Sequence, residues 1–218
     1  GRALCETKDG GFLITGYTFS HGSGDADILI IKTDSYGNIA WTKSYGGVGS
    51  EYGNGCIEIE DGFLIVGYTT SFGAGSKDVY LIKTDKNGNE VWTKTYGGPS
   101  WDVGMSVCET IDGAFLVCGY TNSYGAGEED VYLIKVDFNG NELYSKTYGG
   151  ERSEIGYSVA KTYNGYFIGA NTGTYGGGNT DFYVIKTDSE FNLLWMKPYG
   201  TEGRGHGFDW CNSALSTS

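Results

Sequence analysis

His21 and His206 are the only imidazoles in the chain, and they stand near its opposite ends. As a metal pair they would need further ligands from Asp25 or neighbouring acids, and no Cys-x-x-Cys spacing offers a zinc alternative. The nucleophile-elbow, zincin and phosphate-loop patterns are absent. Gly-x-Gly runs such as Gly73-Ala74-Gly75 lead into a strand-like run, whereas a phosphate cradle opens a helix. Carboxylates are plentiful enough for a glycoside-type hydrolase, but none forms a distinctive pair. Asp85-Lys86-Asn87-Gly88-Asn89 carries only part of a calcium-loop ligand series. The expectation is a non-enzymatic protein with no catalytic residue and no cofactor, its acids suiting at most a cation such as calcium.

Recognition chemistry is better supplied. Rings, acids and small residues are interleaved in the long loops. The residues that vary there are His21, Asp25, Phe72, Trp101, Asp102, Tyr124, Glu154, Tyr175, Arg204 and His206. Ring faces stack on the apolar face of a sugar while carboxylates accept hydroxyl protons. The same mixture serves protein contacts. The expected partner is therefore a protein or carbohydrate, bound on the long-loop face. A net charge of −12 speaks against nucleic acid and against anionic membranes. No window approaches the ~18 apolar residues of a spanning helix.

Repetition sets the frame that must position these residues. The segments Asp27–Asp34, Asp78–Asp85, Asp130–Asp137 and Asp181–Asp188 are near copies, opening at positions 27, 78, 130 and 181. Each copy holds four strand-like runs, A to D. In the third they are Met105–Thr110, Phe115–Tyr120, Val131–Asp137 and Glu142–Tyr148. Asp-Gly or Asn-Gly pairs mark a tight A–B turn, and Gly-Asn pairs mark a tight C–D turn in three copies. The fourth copy lacks that glycine (Ser189-Glu190-Phe191-Asn192), so its turn is expected to be less regular. Runs such as Phe63-Leu64-Ile65-Val66 are continuously apolar, which means cover on both faces. Stacked blades of a β-propeller provide such cover, whereas a sandwich covers one face. The fold class expected is all-β, a propeller of four-stranded antiparallel blades. Four blades are favoured, with a larger ring as the alternative.

Run D carries an aromatic at one place, Trp41, Trp92, Tyr144 and Trp195, and another four residues on, Tyr45, Tyr96, Tyr148 and Tyr199. The first set is read as wedges between neighbouring blades. The run Lys83-Thr84-Asp85-x-x-Gly88-Asn89-x-x-Trp92 resembles the tryptophan-docking repeat of quinoprotein-type propellers. The whole unit is similar to repeats of uncharacterised bacterial and archaeal secreted or cell-surface proteins. That resemblance implies an extracellular or cell-surface location, although no signal peptide is seen. It does not extend to a quinone cofactor, whose binding residues have no recognisable counterpart here.

A single propeller domain over 1–218 is expected, with repeats at about 1–52, 53–103, 104–155 and 156–206. Residues 207–218 repeat run A, which makes seventeen strands where a closed four-bladed ring needs sixteen. A monomer is favoured, with dimerisation by blade or strand exchange as the alternative. Cys5, Cys108 and Cys211 share one repeat position, and Cys56 lies within a residue of it. They read as small buried apolar groups, with a Cys108–Cys118 cross-strand disulfide as the alternative.

Overall fold

The computed structural model describes residues 1–177 and 179–200. Among these, every regular element is a strand, and no helix is long and apolar enough to cross a membrane. The first sheet holds β1 (Ala3–Glu6), β2 (Phe12–Thr18), β3 (Asp27–Thr33) and β4 (Ile39–Tyr45). The second holds β5 (Glu51–Ile59), β6 (Gly62–Thr69), β7 (Asp78–Asp85) and β8 (Glu90–Tyr96). β9 (Asp102–Glu109), β10 (Phe115–Thr121), β11 (Asp130–Val136) and β12 (Glu142–Tyr148) form the third. β13 (Glu154–Thr162), β14 (Gly165–Thr172), β15 (Asp181–Thr187) and β16 (Leu193–Tyr199) form the fourth. Each sheet keeps its strands in chain order. The result is all-β, four successive antiparallel four-stranded sheets of a propeller-like fold.

The tight turns are set by local hydrogen bonding. In the first C–D turn, Asp34 Oδ1 accepts from the amides of Tyr36 and Asn38, each at 2.9 Å, and Asn38 Nδ2 donates to Asp34 Oδ2 at 2.9 Å. Asp85, Asp137 and Asp188 repeat the pattern with Asn89, Asn141 and Asn192. These donors hold the Asp34, Asp85 and Asp188 carboxyls below the usual range. The fourth turn is therefore as regular as the others, contrary to expectation. Phe191 takes the glycine position at φ 63°, where Gly37, Gly88 and Gly140 have φ 83°, 73° and 76°. The Asp188–Asn192 clasp imposes the left-handed conformation on a residue that would not choose it. The same donors occupy the Asp85 carboxylate that resembled a calcium ligand.

At the A–B turns the recurrent lysines close ion pairs with the turn acids. Lys32 reaches Asp9 at 2.9 Å, Lys83 reaches Asp61 at 2.9 Å, and Lys135 reaches Asp112 at 2.6 Å. The fourth copy has no acid there, and Lys186 donates instead to Thr162 Oγ1 at 2.7 Å.

The described residues fall into two compact units, 1–107 and from 108 onward. In the first, β5 packs against β1, β2 and β3. Leu13, Ile28, Ile30, Phe63, Ile65 and Ile82 form the core there. In the second, β13 packs against β10 and β11, over Leu116, Leu133, Val159, Ile168, Tyr183 and Ile185. β6, β7, β10 and β11 are buried almost throughout, as continuous apolar runs require, whereas β2, β3 and β15 alternate buried with half-buried positions.

Within each unit, strand D of the first sheet docks on the C–D turn of the second. The Trp41 ring lies 5.9 Å from that of Phe63, and a Cβ at Gly88 would come within 2.8 Å of it. Tyr45, on the same side of β4 four residues on, donates its hydroxyl to the Gly88 carbonyl. In the second unit Tyr144 stacks on Phe191 at 5.7 Å, and the Tyr148 hydroxyl donates to the Phe191 carbonyl at 2.6 Å. Tyrosine thus faces phenylalanine where tryptophan faces glycine. Trp92 is half-buried. Trp195, expected as a wedge between blades, is instead exposed among the described residues and meets Phe167 of its own sheet at 5.6 Å.

Tyr45→Phe is expected to cost about 1–2 kcal/mol in urea unfolding, because a buried carbonyl loses its donor. Tyr148→Phe is expected to cost less, since Lys146 Nζ also donates to the Phe191 carbonyl at 3.1 Å.

Candidate ligand-binding site

The long loops are braced from beneath by buried carboxylates. Asp27 Oδ2 accepts from the Gly24 amide at 3.2 Å, Asp78 Oδ2 from Gly75 at 2.9 Å, and Asp130 Oδ2 from Ala126 and Gly127 at 3.0 and 3.2 Å. Burial pushes the Asp130 carboxyl up despite these amides. A second set heads the next strand A. Glu51 accepts from the Gly47 amide at 2.7 Å, the Thr69 hydroxyl at 2.6 Å and the Ser71 amide at 3.2 Å. Glu154 does the same with Gly150, Thr172 and Thr174, and Asp102 accepts from Gly98 at 2.8 Å. The loop between strands D and A is pinned by both sets. A Cβ at Gly46 would collide with Asp27 and Glu51 together.

Asp102 and Glu154 therefore do not stand on the exposed face where the sequence reading put them. The strands begin earlier than expected: β9 opens at Asp102, not Met105, and the sheets open two residues ahead of the repeat boundaries at 53, 104 and 156. β5 and β13 run through bulges at Gly53/Gly55 and Gly156/Ser158. Those glycines made strand sequence look like loop.

On the long-loop side of the first unit, rings from both sheets line up. Tyr52 and Tyr68 are cross-strand partners and stack at 5.0 Å and 13°. Tyr17, near the end of β2, meets Tyr52 at 4.4 Å, and Phe19 meets Tyr17 edge-on at 5.3 Å. The Arg2 guanidinium lies over both Tyr17 and Tyr52, at 5.4 and 5.3 Å, and is anchored by Asn54 Oδ1 at 2.9 Å. Lys77 Nζ sits 5.0 Å from the Tyr68 ring and 4.3 Å from that of Trp101. A parallel bridge between Lys77 and Trp101 fixes that last contact through the backbone. The result is a track of five rings interleaved with two cations, open at Phe19, Tyr17 and Trp101.

The corresponding place in the second unit is hollow. Ile155 and Asn171 are the cross-strand pair that replaces Tyr52 and Tyr68. With smaller side chains there, a cavity of about 190 Å³ opens, lined by Glu128, Arg152, Tyr157, Asn171 and Asn179 among others. Ser153 Oγ donates to Glu128 Oε2 at 3.0 Å and holds the acid at its edge.

Of the expected site residues, Trp101 joins the track. His21 and Asp25 lie exposed in the first long loop. Phe72, Tyr124 and Tyr175 occupy one repeated position, each capping a strand-C tyrosine: Tyr80 at 5.8 Å, Tyr132 at 5.8 Å and Tyr183 at 5.6 Å. They vary in type but not in place. Arg204, His206, Cys211 and the extra strand at 207–218 lie outside the described residues. No disulfide joins Cys108 to Cys118, so that alternative is not realised.

The four sheets define an all-β, propeller-like repeat protein. The chain matches no protein-family model and no curated protein. Its fold is similar to a protein of unknown function from Bacteroides caccae, with a TM-score of 0.56 and 13% identity over 93% of this chain and 68% of that one. It is also similar to a GH43_12 protein retrieved from capybara gut metagenome, with a TM-score of 0.51 and 13% identity. That second match covers 91% of this chain but 41% of the other. At such identity the likeness is one of fold.

Proposed function

We propose that this chain is a non-enzymatic binding module of a secreted or cell-surface protein, and that it engages carbohydrate along its aromatic track. The observation that carries this reading is the row Phe19–Tyr17–Tyr52–Tyr68–Trp101, braced by Arg2 and Lys77 and open at both ends. Immobilised rings offer apolar faces to sugars at little entropic cost. The row belongs to one pair of sheets and is not a general feature of the repeat. A hydrolase would need a carboxylate pair open to substrate, and the acids heading the sheets are buried and engaged with amides. The tryptophan-docking kinship is supported by Trp41 seated over Gly88.

Glycan-array binding tests the proposal. Trp101→Ala and Phe19→Ala are each expected to weaken binding on the order of tenfold, about 1.4 kcal/mol, while leaving the fold intact. Chelation by EDTA is expected to leave binding unchanged. Glycan binding that ignores both substitutions would place the ligand elsewhere. Capture of a protein partner through the same rings, with no glycan bound, would replace the ligand class.

A further inference from the structure

Cys5 on β1 and Cys56 on β5 belong to successive sheets of the first unit, and their sulfurs lie 3.8 Å apart. We infer that these two thiols form a redox site, which closes to a disulfide on reaction with a low-molecular-weight disulfide. Three features support the assignment beyond proximity.

The two thiols are unequal in access. Cys5 is half-buried and lines a cavity of about 560 Å³ whose wall includes Lys8, Ile57 and Glu58. Cys56 lies behind it and is almost wholly buried. They are also unequal in protonation. The Cys56 thiol donates to Cys5 Sγ, which lowers the Cys5 pKa, while that bond and burial push Cys56 up. The charged group acting on Cys5 is Glu58, which opposes the shift but is itself held by the Lys8 amide at 2.6 Å. Lastly, the site is selective. Cys108 is pushed up to about 12 by burial, and Cys118 is fully buried.

The chemistry balances as thiol–disulfide exchange. The Cys5 thiolate attacks one sulfur of the small disulfide, forming a mixed disulfide and expelling the first small thiolate. Cys56 then loses its proton and attacks the Cys5 sulfur. The second small thiolate leaves, and each released thiolate takes up a proton. Two protein thiols are oxidised and one small disulfide is reduced to two thiols. Closing 3.8 Å to a bond of about 2.05 Å needs a movement within reach of side-chain rotation.

The test treats the folded 218-residue chain with oxidised glutathione under argon and maps unreduced peptides by mass spectrometry. The expected product is a Cys5–Cys56 cross-linked peptide without a lasting glutathione adduct. In Cys56→Ala the adduct on Cys5 is expected to accumulate. In Cys5→Ala modification of Cys56 is expected to slow by roughly tenfold or more, since the accessible thiol is gone. A wild-type protein that stops at the Cys5 adduct, that stays unmodified, or that joins Cys5 to Cys211 would overturn the assignment. Because the deciding peptide comes from the unsubstituted chain, a variant that failed to fold would leave the answer intact.

Discussion

Replacing Glu51 by alanine is expected to destabilise the protein by about 3–5 kcal/mol. The carboxylate is fully buried and accepts from two amides and one hydroxyl, those of Gly47, Ser71 and Thr69. Alanine would strip the buried Thr69 hydroxyl and the half-buried Gly47 amide of this acceptor, at about 1–3 kcal/mol each, while the Ser71 amide keeps Thr69 Oγ1 at 2.9 Å. Glu51→Gln keeps one acceptor oxygen and is expected to fall between the wild type and alanine. Glu154→Ala should match Glu51→Ala, because Gly150, Thr174 and Thr172 make the same three bonds. Urea unfolding followed by tryptophan fluorescence reads these differences. A Glu51→Ala midpoint close to wild type would show that the acid braces nothing.

The second large effect is expected at Phe191. Its ring is buried between Tyr144 at 5.7 Å and Tyr166 at 5.2 Å, so Phe191→Ala should cost about 3–5 kcal/mol. Phe191→Gly removes the same ring but relieves a left-handed backbone, and should retain about 1 kcal/mol more stability than the alanine variant. Pairing Phe191→Gly with Tyr144→Trp recreates the tryptophan-over-glycine seat seen at Trp41 and Gly88. That double variant is expected to recover part of the loss, which makes the two substitutions non-additive. Equal stability of the alanine and glycine variants would remove the strain argument. A double variant no better than Phe191→Gly alone would remove the size-compensation argument.

The fold could be read from the chain because its devices are local. The four Asp27-like segments, the Asp9-Gly10 type turns and the aromatic pair of strand D all repeat within short windows. The fourth turn lacks the glycine of the other three yet closes the same way, because Asp188 and Asn192 supply the clasp whatever lies between them. Loop limits were misplaced because bulged strands rich in glycine look like loops. The ring track was invisible for a different reason. Tyr17 and Tyr52 belong to different sheets and meet only when β5 crosses β2. A trace was present: Tyr52 stands where the other copies have Val103 and Ile155. Phe72, Tyr124 and Tyr175 misled in the opposite direction, since different residue types hid one shared task. Superposing the copies on Tyr80, Tyr132 and Tyr183 would have exposed it.

The contact between Tyr45 and Gly88 uses a main-chain oxygen, and so does that between Tyr148 and Phe191. A hydroxyl that addresses a peptide group does not ask which side chain that peptide carries. At these two joints the hydroxyl needs only a clasp that presents the carbonyl at the proper height, whereas the neighbouring ring must match the turn residue, Trp41 with Gly88 and Tyr144 with Phe191. Such a joint can be kept through duplication of a module when the ring and the turn residue change as a pair. It leaves the loop tips free to diverge toward new ligands.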